Sequence, residues 1–146
     1  QSVRPGQSVR PGQSVRPGQP AIAPTVLVID DDDMVRRALV RGLRRKHAVV
    51  DVRDAESALE LIASGQRFDA ILCDLNLTGM SGRDFFLHLD ALYEDQARRV
   101  VILSGNPGAM DGVDFGELPP RFIEKPASIA RIEATLAELA RLADAA

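Results

Sequence analysis

Asp74 closes the apolar run Ala70-Ile71-Leu72-Cys73 just before a turn, Leu77-Thr78-Gly79-Met80-Ser81-Gly82, a placement suited to a carboxylate that receives chemistry. A second acidic group, Asp30 to Asp33, ends the run Val26-Leu27-Val28-Ile29 in the same way. Ser104 and Lys125 end two later runs, Val100 to Leu103 and Phe122-Ile123. Four strand ends thus offer acid, acid, hydroxyl and amine. Asp32 or Asp33 can cap a following helix, whereas Asp30 and Asp31, still at the strand end, are not needed as caps. Two carboxylates about 4 Å apart repel by about 4 kcal/mol at an effective dielectric near 20, so Asp30, Asp31 and Asp74 gathered together need a cation. Few oxygen ligands, with room left for water and phosphate oxygens, describe Mg²⁺ better than Zn²⁺ or Ca²⁺. His47 and His88 lie away from these strand ends, which argues against zinc.

The elements that must position these groups alternate along the chain. Between the apolar runs lie stretches of helical period: Val35, Ala38, Leu39, Leu43; Ala55, Ala58, Leu59, Ile62; Phe85, Leu89, Leu92; and Ile129, Ile132, Leu136, Leu139, Ala143. Short strands that are apolar throughout fit a sheet covered on both faces, and helical crossovers make that sheet parallel. The expected fold is α/β, a flavodoxin-like doubly wound five-stranded parallel sheet in the order 2-1-3-4-5. Ligands in such sheets bind beyond the carboxyl ends, where strand order reverses between the first and third strands. Asp30, Asp31 and Asp74 meet there.

Composition fits one small domain of 146 residues, 45% hydrophobic, with a net charge of −3 that disfavours a general nucleic-acid binder. Apolar runs are far shorter than the roughly 20 residues of a membrane helix, and no signal-peptide pattern opens the chain. No membrane contact and a cytoplasmic location are the expectations. The single cysteine, Cys73, reads as a small core residue. Residues 1–24 are different material: Gln-Ser-Val-Arg-Pro-Gly is repeated three times from Gln1 to Gly18, and one Val per repeat cannot offset the entropy of ordering the chain. This segment reads as a low-complexity linker or tail, with the folded domain over 25–146.

Val26-Leu27-Val28-Ile29-Asp30-Asp31-Asp32, then Ile71-Leu72-Cys73-Asp74-Leu75-Asn76-Leu77-Thr78-Gly79-Met80-Ser81-Gly82, then Ile102-Leu103-Ser104-Gly105, then Phe122-Ile123-Glu124-Lys125-Pro126 resemble the receiver domain of two-component response regulators. The wording around Phe68 to Asp74 and Ala97 to Val101 is similar in particular to the C-terminal receiver of hybrid sensor histidine kinases. The resemblance implies that Asp74 is the phosphoacceptor, taking a phosphoryl group from the histidine of a sensor kinase or phosphotransfer domain. It implies Mg²⁺ held by Asp30, Asp31, Asp74 and the backbone carbonyl of Asn76, phosphate contacts from Ser104 and Lys125, and a cis bond before Pro126. Ser104 and Phe122 would form a switch, the hydroxyl moving toward the phosphoryl group and the ring following. One charge-assisted hydrogen bond contributes about 1.5–3 kcal/mol. Inverting a population from 1:99 to 99:1 takes about 5.5 kcal/mol, about what Ser104 and Lys125 supply together.

The chain departs from that pattern over Pro107 to Pro120, where three glycines and three prolines make a poor helix. The fourth helix is therefore expected to be short, irregular or mobile. Ser128 is expected to cap the last helix. No output region follows Ala146, so the chain either works alone on a downstream protein target or belongs to a longer hybrid kinase. Two other readings stay open: a receiver-like scaffold that is never phosphorylated, and a haloacid-dehalogenase-like phosphatase. The latter rests on Asp74-Leu75-Asn76-Leu77-Thr78, where Asn76 replaces the second aspartate of that motif. The phosphoacceptor reading predicts no enzyme beyond the chain's own phosphorylation and dephosphorylation, and leaves the question open where the chain is part of a hybrid histidine kinase.

Overall fold

A computed structural model describes residues 24–106, 108 and 110–145, with side chains through residue 142. The expectations for the N-terminal repeats and for Ala143 fall outside that range. The elements are β1 (Thr25–Ile29), α1 (Asp33–Leu43), β2 (Ala48–Val52), α2 (Ala55–Ala63), β3 (Ala70–Asp74), α3 (Gly82–Leu92), α4 (Glu94–Ala97), β4 (Val100–Ser104), β5 (Arg121–Glu124) and α5 (Ile129–Ala145). The strands form one sheet in the order β2-β1-β3-β4-β5, and every pairing is parallel. The expected doubly wound α/β fold is the one observed.

Alternate strand residues face opposite layers, as the pleat requires. Leu27, Ile29, Ile71, Cys73, Val100 and Ile102 pack with α2 and α3. Val26, Val28, Leu72, Val101, Leu103 and Ile123 pack with α1 and α5. The helices begin where short polar side chains satisfy free N–H groups. Asp32 accepts from the N–H of Met34 and Val35, Asp54 from Ser57, Ser81 from Asp84 and Ser128 from Arg131.

Two helical stripes differ from expectation. In α1 the inward residues are Arg36, Leu39, Val40 and Leu43, whereas Ala38 is exposed and Val35 half-buried. Arg36 turns inward because its guanidinium has polar partners there: Asp33 at 2.8 Å, Asp51 at 2.9 Å and the carbonyl of Asp30 at 3.0 Å. In α3 Leu92 is 62% exposed, while Phe86 is fully buried. The helix ends at Leu92, and Tyr93 turns the chain into α4.

Among the described residues, the segment between β4 and β5 holds turns and bends but no helix. Gly108, Gly112 and Gly116 all have φ between +73° and +84°, a left-handed backbone that interrupts any helix. Phe115 is buried, its ring meeting Phe86 edge-on at 5.8 Å. Arg83 Nε donates to the Asp114 carbonyl at 2.8 Å, so the irregular segment is fastened to α3.

One-turn α4 exists for a local reason. Gln96, 3% exposed, accepts from the Phe68 N–H at 2.9 Å and donates to its carbonyl at 3.2 Å, closing the chain before β3. Gln96→Ala leaves both buried backbone groups without partners and is expected to cost about 2 kcal/mol. Urea unfolding measures this, and an unchanged midpoint would show that water replaces the amide.

Candidate functional site

The four aspartates after β1 divide their work. Asp30 points inward, 1% exposed, with Oδ1 accepting from the Asp32 N–H at 2.9 Å. Asp31 Oδ2 accepts from the Thr78 hydroxyl and N–H, Asp32 caps α1, and Asp33 pairs with Arg36 and Arg53. At the end of β3, Asp74 is 9% exposed. Lys125, just past β5, places Nζ 3.2 Å from Asp30 Oδ2 and 3.4 Å from Asp74 Oδ1. Asp30, Asp31 and Asp74 each offer a carboxylate oxygen, all within 4.8 Å of one another.

The electrostatics follow from this crowding. Burial holds the Asp74 carboxyl above its usual range; the nearby Lys125 ammonium pulls it down, while Asp30 adds to the rise. Burial works against the charge on Lys125, but attraction to Asp74 and Asp30 outweighs it and raises its affinity for the proton. The Thr78 hydroxyl, followed by its N–H, holds Asp31 below the usual carboxylate range. Burial pushes the Cys73 thiol far up, which leaves it an inert core group.

The remaining groups lie on adjacent strands. Leu103 pairs in register with Asp74, and Ser104, the next residue, is fully buried with no hydrogen-bond partner for its Oγ. The Lys125 N–H donates to the Ser104 carbonyl at 2.7 Å, and the Lys125–Pro126 bond is cis. Phe122 pairs with Ile102, so it shares a sheet face with Ser104 and packs half-buried on the α2 and α3 side. The Asn76 N–H reaches Asp74 Oδ1 at 3.4 Å.

This donor set fits a small hard cation. Lys125 pairs directly with two of the three carboxylates, and among the described residues no ammonium or guanidinium pairs with Asp31. The Ser104 hydroxyl is a buried donor left without an acceptor.

Residues 26–137 match the response regulator receiver domain. The chain belongs to that family. It is similar over 120 residues, at 33% identity, to the sensory/regulatory protein RpfC of Xanthomonas campestris pv. campestris, covering 79% of this chain and 16% of RpfC. The chain thus spans about a sixth of that relative's length. Its fold is similar to the signal receiver domain of an HD domain-containing protein from Pseudomonas fluorescens Pf-5, with TM-score 0.72 at 20% identity over 85% of this chain and 99% of the other. A response regulator receiver protein from Pseudomonas putida gives TM-score 0.67 at 26% identity, over 81% and 98%. This is a receiver domain of two-component signal transduction, a family that accepts phosphoryl groups and binds Mg²⁺ at an acidic pocket. No helix among the described residues is long and apolar enough to cross a membrane.

Sequence reasoning overlooked two receiver-site residues. Arg36 anchors the Asp30 carbonyl from within α1; its position in the stripe Arg36, Leu39, Val40, Leu43 was available as a signal, since an arginine at a core position needs acidic partners. Thr78 carried no such signal, because turn residues of that type ordinarily serve only the turn.

Proposed function

We propose that Asp74 is the phosphoacceptor of this receiver. A sensor kinase or histidine phosphotransfer domain would supply the phosphoryl group: the P–N bond to the donor histidine breaks as a P–O bond to an Asp74 carboxylate oxygen forms, giving an acyl phosphate. Asp30, Asp31, Asp74 and the Asn76 carbonyl would hold Mg²⁺, which when bound offsets charge on the phosphoryl oxygens. Lys125 would take a second oxygen and the Ser104 hydroxyl a third. The observation that carries this reading is the Lys125 ammonium within 3.4 Å of Asp74 and 3.2 Å of Asp30, with the buried Ser104 hydroxyl unpartnered at the end of the adjacent strand β4.

Before transfer, the Lys125 ammonium bridges Asp30 and Asp74 and offsets their mutual repulsion. After transfer its partners become Asp30 and the phosphoryl group, and Ser104 gains the acceptor it lacks. Phe122 on the same sheet face would follow Ser104 and pass the change to the β4–β5 side. Catalysis would not extend past the chain's own phosphorylation and dephosphorylation. The similarity to the sensory/regulatory protein RpfC supports a place within a longer sensory protein. Residues 1–24 would then be the linker to a kinase core, with the cytoplasm as location.

Incubation with acetyl phosphate and Mg²⁺ is expected to add one phosphoryl group, mapped by mass spectrometry to the peptide holding Asp74, and chelation should prevent it. Sustained phosphate release from a generic phosphomonoester would instead indicate a phosphatase. A parent chain that never acquires the adduct would leave a scaffold.

A further inference from the structure

Asp31 is fixed from outside its own loop. Its Oδ2 accepts from the Thr78 N–H at 3.0 Å and from the Thr78 hydroxyl at 2.8 Å, tying the end of β1 to the β3–α3 turn across 47 positions of sequence. A carboxylate oxygen has two lone pairs, so Thr78 saturates Oδ2 and leaves Oδ1 for a further partner. A proline at position 78 would supply neither donor, most residues only the N–H, and serine or threonine both.

We propose that Thr78 is a positioning residue for the divalent cation: its hydroxyl and amide lock the Asp31 carboxylate with Oδ1 free, and so set this receiver's affinity for Mg²⁺. The inference rests on the metal site of the proposed function. Two bonds on one oxygen remove the rotational freedom that Asp31 would otherwise lose when a cation arrives, so ordering is complete beforehand. The same dipoles also offset part of the repulsion that Asp30 and Asp74 impose on Asp31. The metal group takes one oxygen from each carboxylate; with Thr78 on Oδ2, the cation would be held through Asp31 Oδ1.

Thr78 can be tested apart from the turn, because other bonds hold that turn. The Met80 N–H donates to Glu56 Oε2 at 3.2 Å, and the Gly82 N–H to the Leu75 carbonyl at 2.9 Å. Gly79 takes φ +82°, and a side chain there would meet Glu56 Oε2 at 2.9 Å. Removing one hydroxyl from an exposed position leaves all of these in place.

The test is titration of the unphosphorylated full chain, with Mg²⁺ by calorimetry and Mn²⁺ by electron paramagnetic resonance, for the parent, Thr78→Val and Thr78→Ser. Loss of an outer hydrogen bond to a metal ligand typically weakens binding 10–100-fold, and about tenfold is expected for Thr78→Val. Thr78→Ser is expected to stay within about twofold of the parent, since the same donors remain. A merely structural role would lower the metal-free thermal midpoint of Thr78→Val and leave its cation affinity unchanged. Equal or tighter binding by Thr78→Val, or failure of Thr78→Ser to restore affinity, overturns the inference alone. A parent that binds neither ion overturns the metal site and this inference together.

Discussion

Asp74→Asn is expected to abolish phosphoryl incorporation from acetyl phosphate and, in metal-free buffer at neutral pH, to raise the unfolding midpoint. The first effect follows from the chemistry, because an amide cannot serve as the acceptor carboxylate. The second follows from the crowding around position 74. Asp74 is 9% exposed and shares its surroundings with Asp30 and Asp31. Lys125 repays part of that cost, yet the carboxyl still sits above its ordinary range, chiefly because it is buried. For an acid held high, the stabilising contribution is complete below the unfolded value of 3.8 and disappears as pH rises through the folded value. At neutral pH the ionised group therefore costs stability, which neutral Asn recovers. Relief of strain of this kind at functional sites commonly returns about 0.5–2 kcal/mol. The gap between parent and variant should close as the solution is acidified and Asp74 takes up its proton. Saturating Mg²⁺ should narrow it too, because a ligand that binds only the folded state stabilises the parent more than a variant lacking one metal ligand. Intact-mass spectrometry and thermal unfolding measure the two effects. Phosphoryl incorporation equal to the parent's would place the acceptor elsewhere, and a lowered midpoint would mean that the ion pair with Lys125 outweighs burial.

The same tension explains which parts of the molecule could be read from sequence. Strands β1, β3 and β4 are almost wholly buried, so their apolar runs and the polar residue ending each one are a direct imprint of the sheet. Once those strands are parallel, their ends converge without further information, and Asp30, Asp31, Asp74, Ser104 and Lys125 fall together. Ser128 as a cap and the irregular β4–β5 segment were equally legible, because they depend on local backbone preferences. Tertiary partners were not. Leu92 continues the α3 stripe in sequence but stands 62% exposed, since the chain leaves the helix there. Arg36 displaces Ala38 from the inner face because Asp51 lies on the neighbouring strand. Gln96 holds Phe68 over a separation of 28 residues, and no periodicity announces a bond of that kind. Thr78 and Asp31 are 47 residues apart and belong to the same class.

Gly82→Ala is expected to destabilise the domain by about 3 kcal/mol, the upper end of the range for forcing extra atoms into a packed site, and to slow phosphorylation of the molecules that remain folded. A Cβ at position 82 would lie 2.5 Å from the Asp74 carbonyl oxygen and 2.9 Å from the Leu75 Cα. Both are backbone atoms, so no rotamer change relieves the contact. The end of β3 cannot retreat cheaply, because the Leu75 N–H is bonded to the Leu103 carbonyl at 2.9 Å. Helix α3 cannot withdraw cheaply either, since Phe85, Phe86 and Leu89 are fully buried beneath it. Intrinsic helix propensity works in the opposite direction, favouring Ala over Gly by up to about 1 kcal/mol, and is too small to reverse the result. Any compromise shifts the peptide of Asp74 itself, which moves its carboxylate, the proposed acceptor, relative to Lys125. Gly105→Ala is the control: nothing lies within 4 Å of its added Cβ, and it adjoins Ser104 without touching the β3–α3 junction. Urea unfolding of the two variants, with initial rates of acetyl phosphate labelling, separates the cases. Equal midpoints for Gly82→Ala and Gly105→Ala would show that the junction has slack the geometry does not reveal. A lower midpoint with an unchanged labelling rate would mean that α3 yields and Asp74 keeps its place.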